Sequence, residues 1–247
     1  MNRYADITAV VLAGGLGTRL RDAVADRPKV LAEVNDRPFI TYLLDQLADA
    51  EVHRVVLCTG YMAEQVSATL GGSYRGMELL YSPENSPLGT GGALRLALPL
   101  IGSDPLLVMN GDSYCQSDLA RLLDAHRAGQ AAASLVLARV EDVGRYGAVD
   151  VSTAGVITHF SEKGSRQGHG LINAGIYLIN RAVIEAITGN EAVSLEREIF
   201  PALISRHDLQ GVVTRGRFID IGIPSDYFAA SAFFNELPGT LCNRGET

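Results

Sequence analysis

The chain has 247 residues, a length that fits one α/β domain. Hydrophobic residues make up 47% and charged residues 20%, so the chain can bury a full core and is not disordered throughout. Its net charge is -7 and it shows no basic stripe, which argues against a nucleic-acid binder. Cys58, Cys115 and Cys242 lie far apart, which argues against a zinc site and suits a reducing compartment.

The first apolar run is short. It covers residues 7–13 and stops at a glycine cluster. That is too short for a membrane span, and no secretory cleavage pattern follows it. The expectation is therefore a cytoplasmic protein that has no membrane partner.

The first 140 residues alternate between short runs rich in Val, Ile and Leu and stretches with helical periodicity. Strands are predicted over residues 7–13, 52–59, 79–82, 106–109 and 133–138, and helices over 39–50, 62–70, 91–98 and 118–127. This succession predicts a three-layer, Rossmann-like α/β fold, with a mostly parallel sheet covered on both faces.

The alternation of predicted strands and helices ends after residue 140. Strands are predicted over 148–151, 156–160 and 171–179 with little helix between them, which indicates a small antiparallel layer on the substrate side. Helices over 182–187 and 195–205, strands over 211–214 and 218–221, and a last helix with Ser225 as its N-cap follow. We expect one domain over residues 1–237 and a flexible tail over 238–247.

A glycine-rich loop follows the first strand, where residues 13–20 read Ala-Gly-Gly-Leu-Gly-Thr-Arg-Leu. Ligands of open α/β sheets bind at the carboxyl ends of the strands. Glycines let backbone N–H groups approach phosphate oxygens, Arg19 adds a fork of donors, and Lys29 adds a compact charge. An ordinary strand-to-helix turn can also carry glycines. Leu20 breaks the dinucleotide pattern G-x-G-x-x-G, and the Gly-Lys-Ser/Thr ending of kinase and GTPase loops is missing.

Two aspartates are candidate metal ligands. Asp112 follows the buried run 106–109, and Asp220 stands between apolar neighbours on a later predicted strand. Magnesium prefers a few oxygen ligands plus substrate phosphates. The alternatives are an Asn-Gly-Asp turn at 110–112 and a structural salt bridge at Asp220.

A second glycine-rich turn, residues 86–92, opens the helix predicted over 91–98. Glycines there would let a flat nucleobase pack against the backbone. The alternative is a helix N-terminus that is packed close to the sheet.

Residues 12–20, followed by Pro28 and Lys29, closely resemble the signature of the sugar-1-phosphate nucleotidyltransferases. The resemblance implies the nucleotide-diphospho-sugar transferase fold, which is GT-A-like. It implies that Arg19 and Lys29 neutralise phosphates, and that Asp112 and Asp220 hold Mg²⁺. The nucleotide-binding residues that it implies are Leu12, Ala13, Gly14, Gly15, Gly17, Thr18, Gly89, Thr90 and Gly91. The family commonly has proline after the Pro-Lys pair, whereas this chain has Val30.

The same resemblance assigns a sugar side. It implies that Glu162 contacts sugar hydroxyls and that Lys163 grips the sugar phosphate, which makes Lys163 catalytic together with Arg19, Lys29 and Asp112. Gly147, Asn173 and Gly175 complete the implied sugar pocket. On sequence alone, Glu162 and Lys163 read as a solvated surface pair.

Three stretches, 88–94, 110–114 and 218–227, resemble those of D-glycero-α-D-manno-heptose 1-phosphate guanylyltransferases. That likeness implies GTP and the heptose 1-phosphate as substrates, GDP-heptose and pyrophosphate as products, and a role in surface-polysaccharide synthesis. The alternatives are a hexose 1-phosphate transferase using GTP, UTP or dTTP, a regulatory subunit that senses nucleotide-sugars, and a Rossmann oxidoreductase. The oligomeric state, a homo-oligomer included, stays open.

Overall fold

The structure is a computed structural model that describes residues 3–15, 17, 20, 24, 26–161, 164–189 and 191–237. In chain order, its strands are β1 Thr8–Ala13, β2 Glu33–Val34, β3 Arg37–Pro38, β4 Arg54–Thr59, β5 Ser73–Tyr74, β6 Met77–Pro83, β7 Leu106–Asn110, β8 Ser113–Cys115, β9 Ala133–Val140, β10 Val149–Val151, β11 Ile157–Phe160, β12 Gly170–Ile179, β13 Leu209–Val213 and β14 Phe218–Asp220. Its α-helices are α1 Ile40–Asp49, α2 Ala63–Leu70, α3 Gly89–Ala97, α4 Leu119–Gly129, α5 Arg181–Glu185, α6 Phe200–Ile204 and α7 Pro224–Asn235.

Eight strands form one mixed sheet in the order β13-β9-β12-β7-β1-β4-β6-β5. The central strand β1 runs parallel to both β4 and β7, and β4 runs parallel to β6. The carboxyl ends of these four strands therefore meet at one edge of the sheet. This confirms the predicted sheet with covering helices, and the first strand lies at its centre.

Both faces of the sheet are buried, because side chains of a strand alternate between its faces. In β1, Val11 joins a core cluster that contains Leu43 of α1 and Leu122 of α4. Its neighbour Val10 joins the opposite cluster, which contains Leu94 of α3. The apolar runs in the first half of the chain are thus explained by burial on two sides.

The expected small antiparallel layer is only partly right. β10 and β11 form a separate antiparallel pair, as predicted. β12, however, is inserted antiparallel between β7 and β9 in the main sheet, and β13 lies at the edge of that sheet. The run of apolar residues in β12 reflects this central position.

Two predictions of helix ends also need correction. The last helix begins at Pro224, with Ile223 rather than Ser225 at the N-cap, because proline suits the first helical position. The helix predicted over 195–205 is a π-helical turn, Leu195–Ile199, followed by α6. Within the described part of the chain, no helix is long and apolar enough to cross a membrane.

Candidate active site

A cavity of about 280 Å³ lies at the edge where β1, β4, β6 and β7 end. Its lining comes from the loop after β1, the ends of β4, β6 and β7, and the start of α3. The lining residues are Leu12, Ala13, Gly14, Gly15, Lys29, Val30, Cys58, Glu84, Pro87, Gly89, Thr90, Ala93, Asn110 and Asp112. Six of the nine predicted nucleotide-binding residues are among them, so the two glycine-rich turns face one space.

Glu84, which follows β6 directly, places a carboxylate in this cavity. A Cβ built on Gly14 would lie 2.9 Å from its Oε1 atom, and one built on Gly60 would lie 3.0 Å from it. The backbone N–H of Leu88 donates to the other oxygen, Oε2, over 3.1 Å. Burial raises the pKa of Glu84 above its ordinary value, and the Leu88 hydrogen bond opposes that rise. The two glycines make room for an acidic group beside the glycine-rich loop that follows β1.

The glycines at the start of α3 are packed against the chain segment 191–193. A Cβ on Gly89 would lie 2.5 Å from the carbonyl oxygen of Val193, and φ at Gly89 is +70°. The backbone N–H of Gly91 donates to that same oxygen over 2.8 Å. The close-packing alternative therefore accounts for Gly91, which does not appear in the cavity lining, while Gly89 and Thr90 face the cavity.

Lys29 reaches the cavity from a short helical turn, and its side chain is only 11% exposed. Its Nζ atom lies 2.8 Å from Oδ2 of Asp112. Gly17 packs over it, since a Cβ on Gly17 would lie 3.2 Å from the Lys29 Cβ. The predicted phosphate cation and the predicted metal ligand therefore lie side by side.

Asp220 lies next to this pair through strand pairing. β14 runs antiparallel to β8 with Asp220 opposite Ser113, and the N–H of Ile221 donates to the carbonyl oxygen of Asp112 over 3.0 Å. A Cβ on Gly222 would lie 2.7 Å from Asp220 Oδ1 and 3.0 Å from Lys29 Nζ. The structure thus brings the two aspartates to the same end of the sheet.

These two aspartates fit a magnesium site on chemical grounds. Carboxylate oxygens are the donors that Mg²⁺ prefers, and it usually takes one or two of them together with substrate phosphates. Among the residues the structure describes, there is no group of three or more His, Cys, Asp or Glu that could hold a metal. Mg²⁺ at Asp112 and Asp220 remains a prediction that depends on phosphate ligands from the substrate.

The described sugar-side residues lie beside the cavity and not in its lining. Gly175, with φ of +76°, sits at a bulge in β12, and a Cβ there would lie 2.6 Å from Ser113 Oγ. The N–H of Gly175 donates to Asn173 Oδ1 over 3.0 Å. Gly147 is buried and follows Tyr146, whose ring packs edge-on against Phe218 of β14. The two predicted sugar segments therefore border β8, which directly follows Asp112, and β14, which ends at Asp220.

Four predicted site residues, Thr18, Arg19, Glu162 and Lys163, lie outside the described residues, as does the predicted tail over 238–247. The structure neither places nor displaces them.

Three residues that the sequence did not single out belong to this region: Glu84, Asn110 and Glu196. Glu84 and Asn110 stand at the carboxyl ends of β6 and β7, the same signal that selected the first glycine loop. Glu196 has no such signal, because it reaches the region only through tertiary hydrogen bonds.

Cys58 also lines the cavity, but burial raises its pKa to about 12, which keeps it a thiol.

The sequence pattern of the nucleotidyl transferase family matches residues 8–236. The chain belongs to this family. The cavity at the carboxyl ends of β1, β4, β6 and β7 is the candidate active site of this family member.

Relatives with known activities match over most of the chain. The D-glycero-α-D-manno-heptose 1-phosphate guanylyltransferase of Aneurinibacillus thermoaerophilus is 35% identical, and the match covers 89% of this chain and 94% of the relative. The mannose-1-phosphate guanylyltransferase of Mycobacterium tuberculosis is 38% identical, and the match covers 92% of this chain but only 64% of the relative.

A solved structure shows the same fold at a similar level of identity. HddC from Yersinia pseudotuberculosis, crystallised with GMP-PN, has a TM-score of 0.81 and 33% identity, and the match covers 92% of this chain and 99% of HddC. The predicted family and fold class are therefore confirmed.

Proposed function

We propose that this nucleotidyltransferase transfers GMP from GTP to D-glycero-α-D-manno-heptose 1-phosphate, giving GDP-heptose and pyrophosphate. The coarser part, nucleotidyl transfer to a sugar 1-phosphate, follows from family membership. The finer part, the base and the sugar, is our inference. A mannose 1-phosphate substrate is the second candidate, because the Mycobacterium tuberculosis relative carries that activity.

The carboxylate of Glu84 is the observation that supports GTP. It lines the cavity beside Gly14 and Gly60, and Oε2 already accepts from Leu88. An ionised carboxylate only accepts hydrogen bonds. Guanine offers two adjacent donors, its ring N1–H and its exocyclic amino group, which match the two oxygens of a carboxylate. Uracil and thymine place a carbonyl oxygen on each side of one N–H, so a carboxylate would meet repulsion there.

The chemistry rests on neutralising charge. An oxygen of the sugar phosphate attacks the α-phosphorus, and the bond from that phosphorus to pyrophosphate breaks. The nucleophile is already an anion, so the obstacle is repulsion between two phosphorylated substrates. Positioning and positive charge are then the main sources of rate.

The protein's own cations suit this task. Lys29 lies at the cavity, and we assign Arg19 and Lys163 to the triphosphate and the sugar phosphate. The chain contains 21 Lys and Arg residues, and Lys29 and Lys163 are its only lysines. Both lysines of the chain thus stand at positions predicted to bind phosphate. Mg²⁺ bound at Asp112 and Asp220 would supply further positive charge to the phosphates.

A substrate panel tests the proposal. Pyrophosphate release is measured for GTP, ATP, UTP and dTTP, each paired with heptose, mannose and glucose 1-phosphates. We expect GTP with the heptose 1-phosphate to give the highest kcat/KM. Glu84→Gln should lower kcat/KM for GTP roughly 10- to 100-fold, since it removes a charge-assisted hydrogen bond. It should not lower kcat/KM for UTP and dTTP, because it also removes the repulsion of their carbonyl oxygens.

Glu64→Gln is the matched control, because it makes the same charge change on the exposed surface of α2. Equal use of GTP and UTP by the wild-type protein would refute guanylyl transfer. A loss of equal size for every triphosphate in Glu84→Gln would refute the base-reading role.

A further inference from the structure

The carboxylate of Glu196 accepts hydrogen bonds from three hydroxyl groups, which belong to three parts of the fold. Thr90 Oγ1 of α3 and Ser194 Oγ both donate to its Oε2 atom, over 3.0 and 3.1 Å. The phenol of Tyr177 in β12 donates to Oε1 over 3.4 Å. Glu196 itself stands in the π-helical turn Leu195–Ile199, a rare local structure that often marks functional sites.

One branch of this network leads to the nucleotide side. Thr90 lines the cavity and follows Gly89 at the start of α3. Its hydroxyl also accepts from the backbone N–H of Leu195 over 2.8 Å. Both hydrogen-bonding capacities of that hydroxyl are therefore directed at the turn that carries Glu196.

The other branch leads to the sugar side. Because Glu196 only accepts, the single proton of the Tyr177 phenol goes to it, and the phenol oxygen is left to accept from Asn173 Nδ2 over 2.9 Å. That donation fixes the Asn173 amide, so its Oδ1 faces the N–H of Gly175 at 3.0 Å. Tyr177 is fully buried, and the low polarity around it raises the pKa of the phenol well above its ordinary value.

Gly175, at the sugar-side end of this hydrogen-bond network, packs against Asn110 and Ser113, the residues that enclose the turn containing Asp112. Gly175 occupies the bulge of β12, where a Cβ would touch Ser113 Oγ and would lie 3.0 Å from Asn110. Bulges next to active sites commonly set the direction of nearby side chains. A continuous hydrogen-bonded path thus runs from Thr90, through Glu196, Tyr177 and Asn173, to the backbone N–H of Gly175. Gly175 in turn packs against Asn110 and Ser113, which lie on either side of Asp112 in the sequence.

We propose that Glu196 is a positioning residue that sets the nucleotide side of the site, at the start of α3, relative to the sugar side at the β12 bulge. This rests on the proposed function, since the two sides matter only if two substrates react between them. Glu196 acts through Thr90 and Tyr177, and no substrate contact is required of it. Small errors in the alignment of two reactants lower the rate of transfer more than they lower binding of either one.

A carboxylate is needed for this task. Three hydroxyls donate to its two oxygens, and a glutamine amide would replace one of these oxygens by an NH₂ group. That NH₂ group would then face a hydroxyl that also donates, so the hydrogen bond at that position would be lost. Glu196→Gln therefore breaks one branch of the relay while preserving the size of the side chain.

The test compares Glu196→Gln with the wild-type protein by steady-state kinetics and calorimetry. We expect kcat to fall roughly 10-fold, about the worth of one hydrogen bond to a charged group. The affinity for GTP should change less than 3-fold, and GTP should still bind one per chain, which shows that the lost rate does not come from unfolded protein. Glu196→Asp, which keeps the acceptor, should recover part of the rate. Glu191→Gln, an exposed change of the same charge in the same segment, should match the wild type.

A double-mutant cycle with Tyr177→Phe tests directly whether Glu196 acts through Tyr177. If Glu196 acts through Tyr177, the double variant should be no slower than the slower single variant. Multiplicative losses both in this cycle and in the matching cycle with Thr90→Val, or a fall in GTP-binding stoichiometry that matches the fall in kcat, would overturn the proposal. The cycle is run with whichever triphosphate and sugar phosphate the panel selects. A failure of the guanylyl assignment is then visible in the wild-type panel alone, and a failure of the Glu196 relay is visible in the cycle alone.

Discussion

At the scale of single residues, the site is organised by charges that are held close together before any substrate arrives. The Lys29 side chain is nearly buried and its Nζ atom lies 2.8 Å from the half-exposed carboxylate of Asp112. In such a place an ammonium group keeps its direction, and a phosphate that enters the cavity meets a cation that is already positioned. We propose that the partner carboxylate of Asp112 then becomes available to a divalent ion that accompanies the triphosphate.

Lys29→Ala should lower kcat/KM by on the order of 100- to 1,000-fold, as loss of one prearranged electrostatic donor commonly does. Lys29→Arg should restore little of it, because a planar guanidinium does not fit a site shaped for a compact charge. Initial rates of pyrophosphate release measure both effects. Arg206→Ala, which removes an exposed positive charge, is the control. Near-normal turnover in Lys29→Ala would remove Lys29 from the phosphate site.

At the scale of elements, α3 depends on the segment that precedes the π-helical turn. The carbonyl oxygen of Val193 accepts from Gly91, and the N–H of Val193 donates to the carbonyl oxygen of Leu88 over 2.8 Å. The first of these bonds satisfies an N–H group that a helix N-terminus would otherwise leave without a partner. The start of α3 is thus held in place by hydrogen bonds to the backbone of Val193. Because Gly89 and Thr90 line the cavity, these bonds also fix the position of that part of the cavity wall.

Gly89→Ala should destabilise the fold by more than about 1 kcal/mol, because it adds a steric clash to the cost of a positive φ. The added Cβ would lie 2.5 Å from the Val193 oxygen. Gly76→Ala is the matched control, since φ at Gly76 is +84° but nothing lies within 4 Å of its Cβ position. The difference in unfolding free energy between the two variants, from urea titrations, isolates the clash. An equal loss of unfolding free energy in both variants would show that the backbone at Val193 moves to make room for the added Cβ.

At the scale of the whole molecule, the site joins segments that are far apart in sequence. The cavity lining runs from Leu12 to Asp112, and Asp220 is brought in by the pairing of β14 with β8. A ligand that touches all of them can bind only to the folded chain. Binding should therefore stabilise the global fold, by about 2.7 kcal/mol at a ligand concentration 100 times Kd.

We expect GTP with Mg²⁺ to raise the Tm by several degrees more than GTP alone, given ~2–4 °C per kcal/mol for a chain of this size. Asp112→Asn and Asp220→Asn should each abolish the extra rise that Mg²⁺ produces and leave a smaller rise from GTP. Thermal unfolding followed by circular dichroism measures this. Asp6→Asn, an exposed change of the same kind, should behave as the wild type. An unchanged Mg²⁺ increment in both site variants would exclude these aspartates as metal ligands.

Local features could be predicted from the order of residues. Burial of β1 on both faces requires a continuous apolar run, and the glycines after it mark a strand end, so the position of the glycine-rich loop was predicted correctly. Its role in binding phosphate stays a prediction. Asp112 was found in the same way, as a carboxylate directly after a buried strand.

Which distant segments of the chain meet became clear from the three-dimensional structure. A strand's residue pattern specifies that it is buried but not its neighbour, so β12 was assigned to the small layer although it lies in the centre of the main sheet. The proximity of Asp220 to Asp112 depends on the pairing of two three-residue strands, and the relay through Glu196 depends on side-chain hydrogen bonds between elements. Such contacts are fixed by packing and closure of long loops, which leave no periodic signal along the chain.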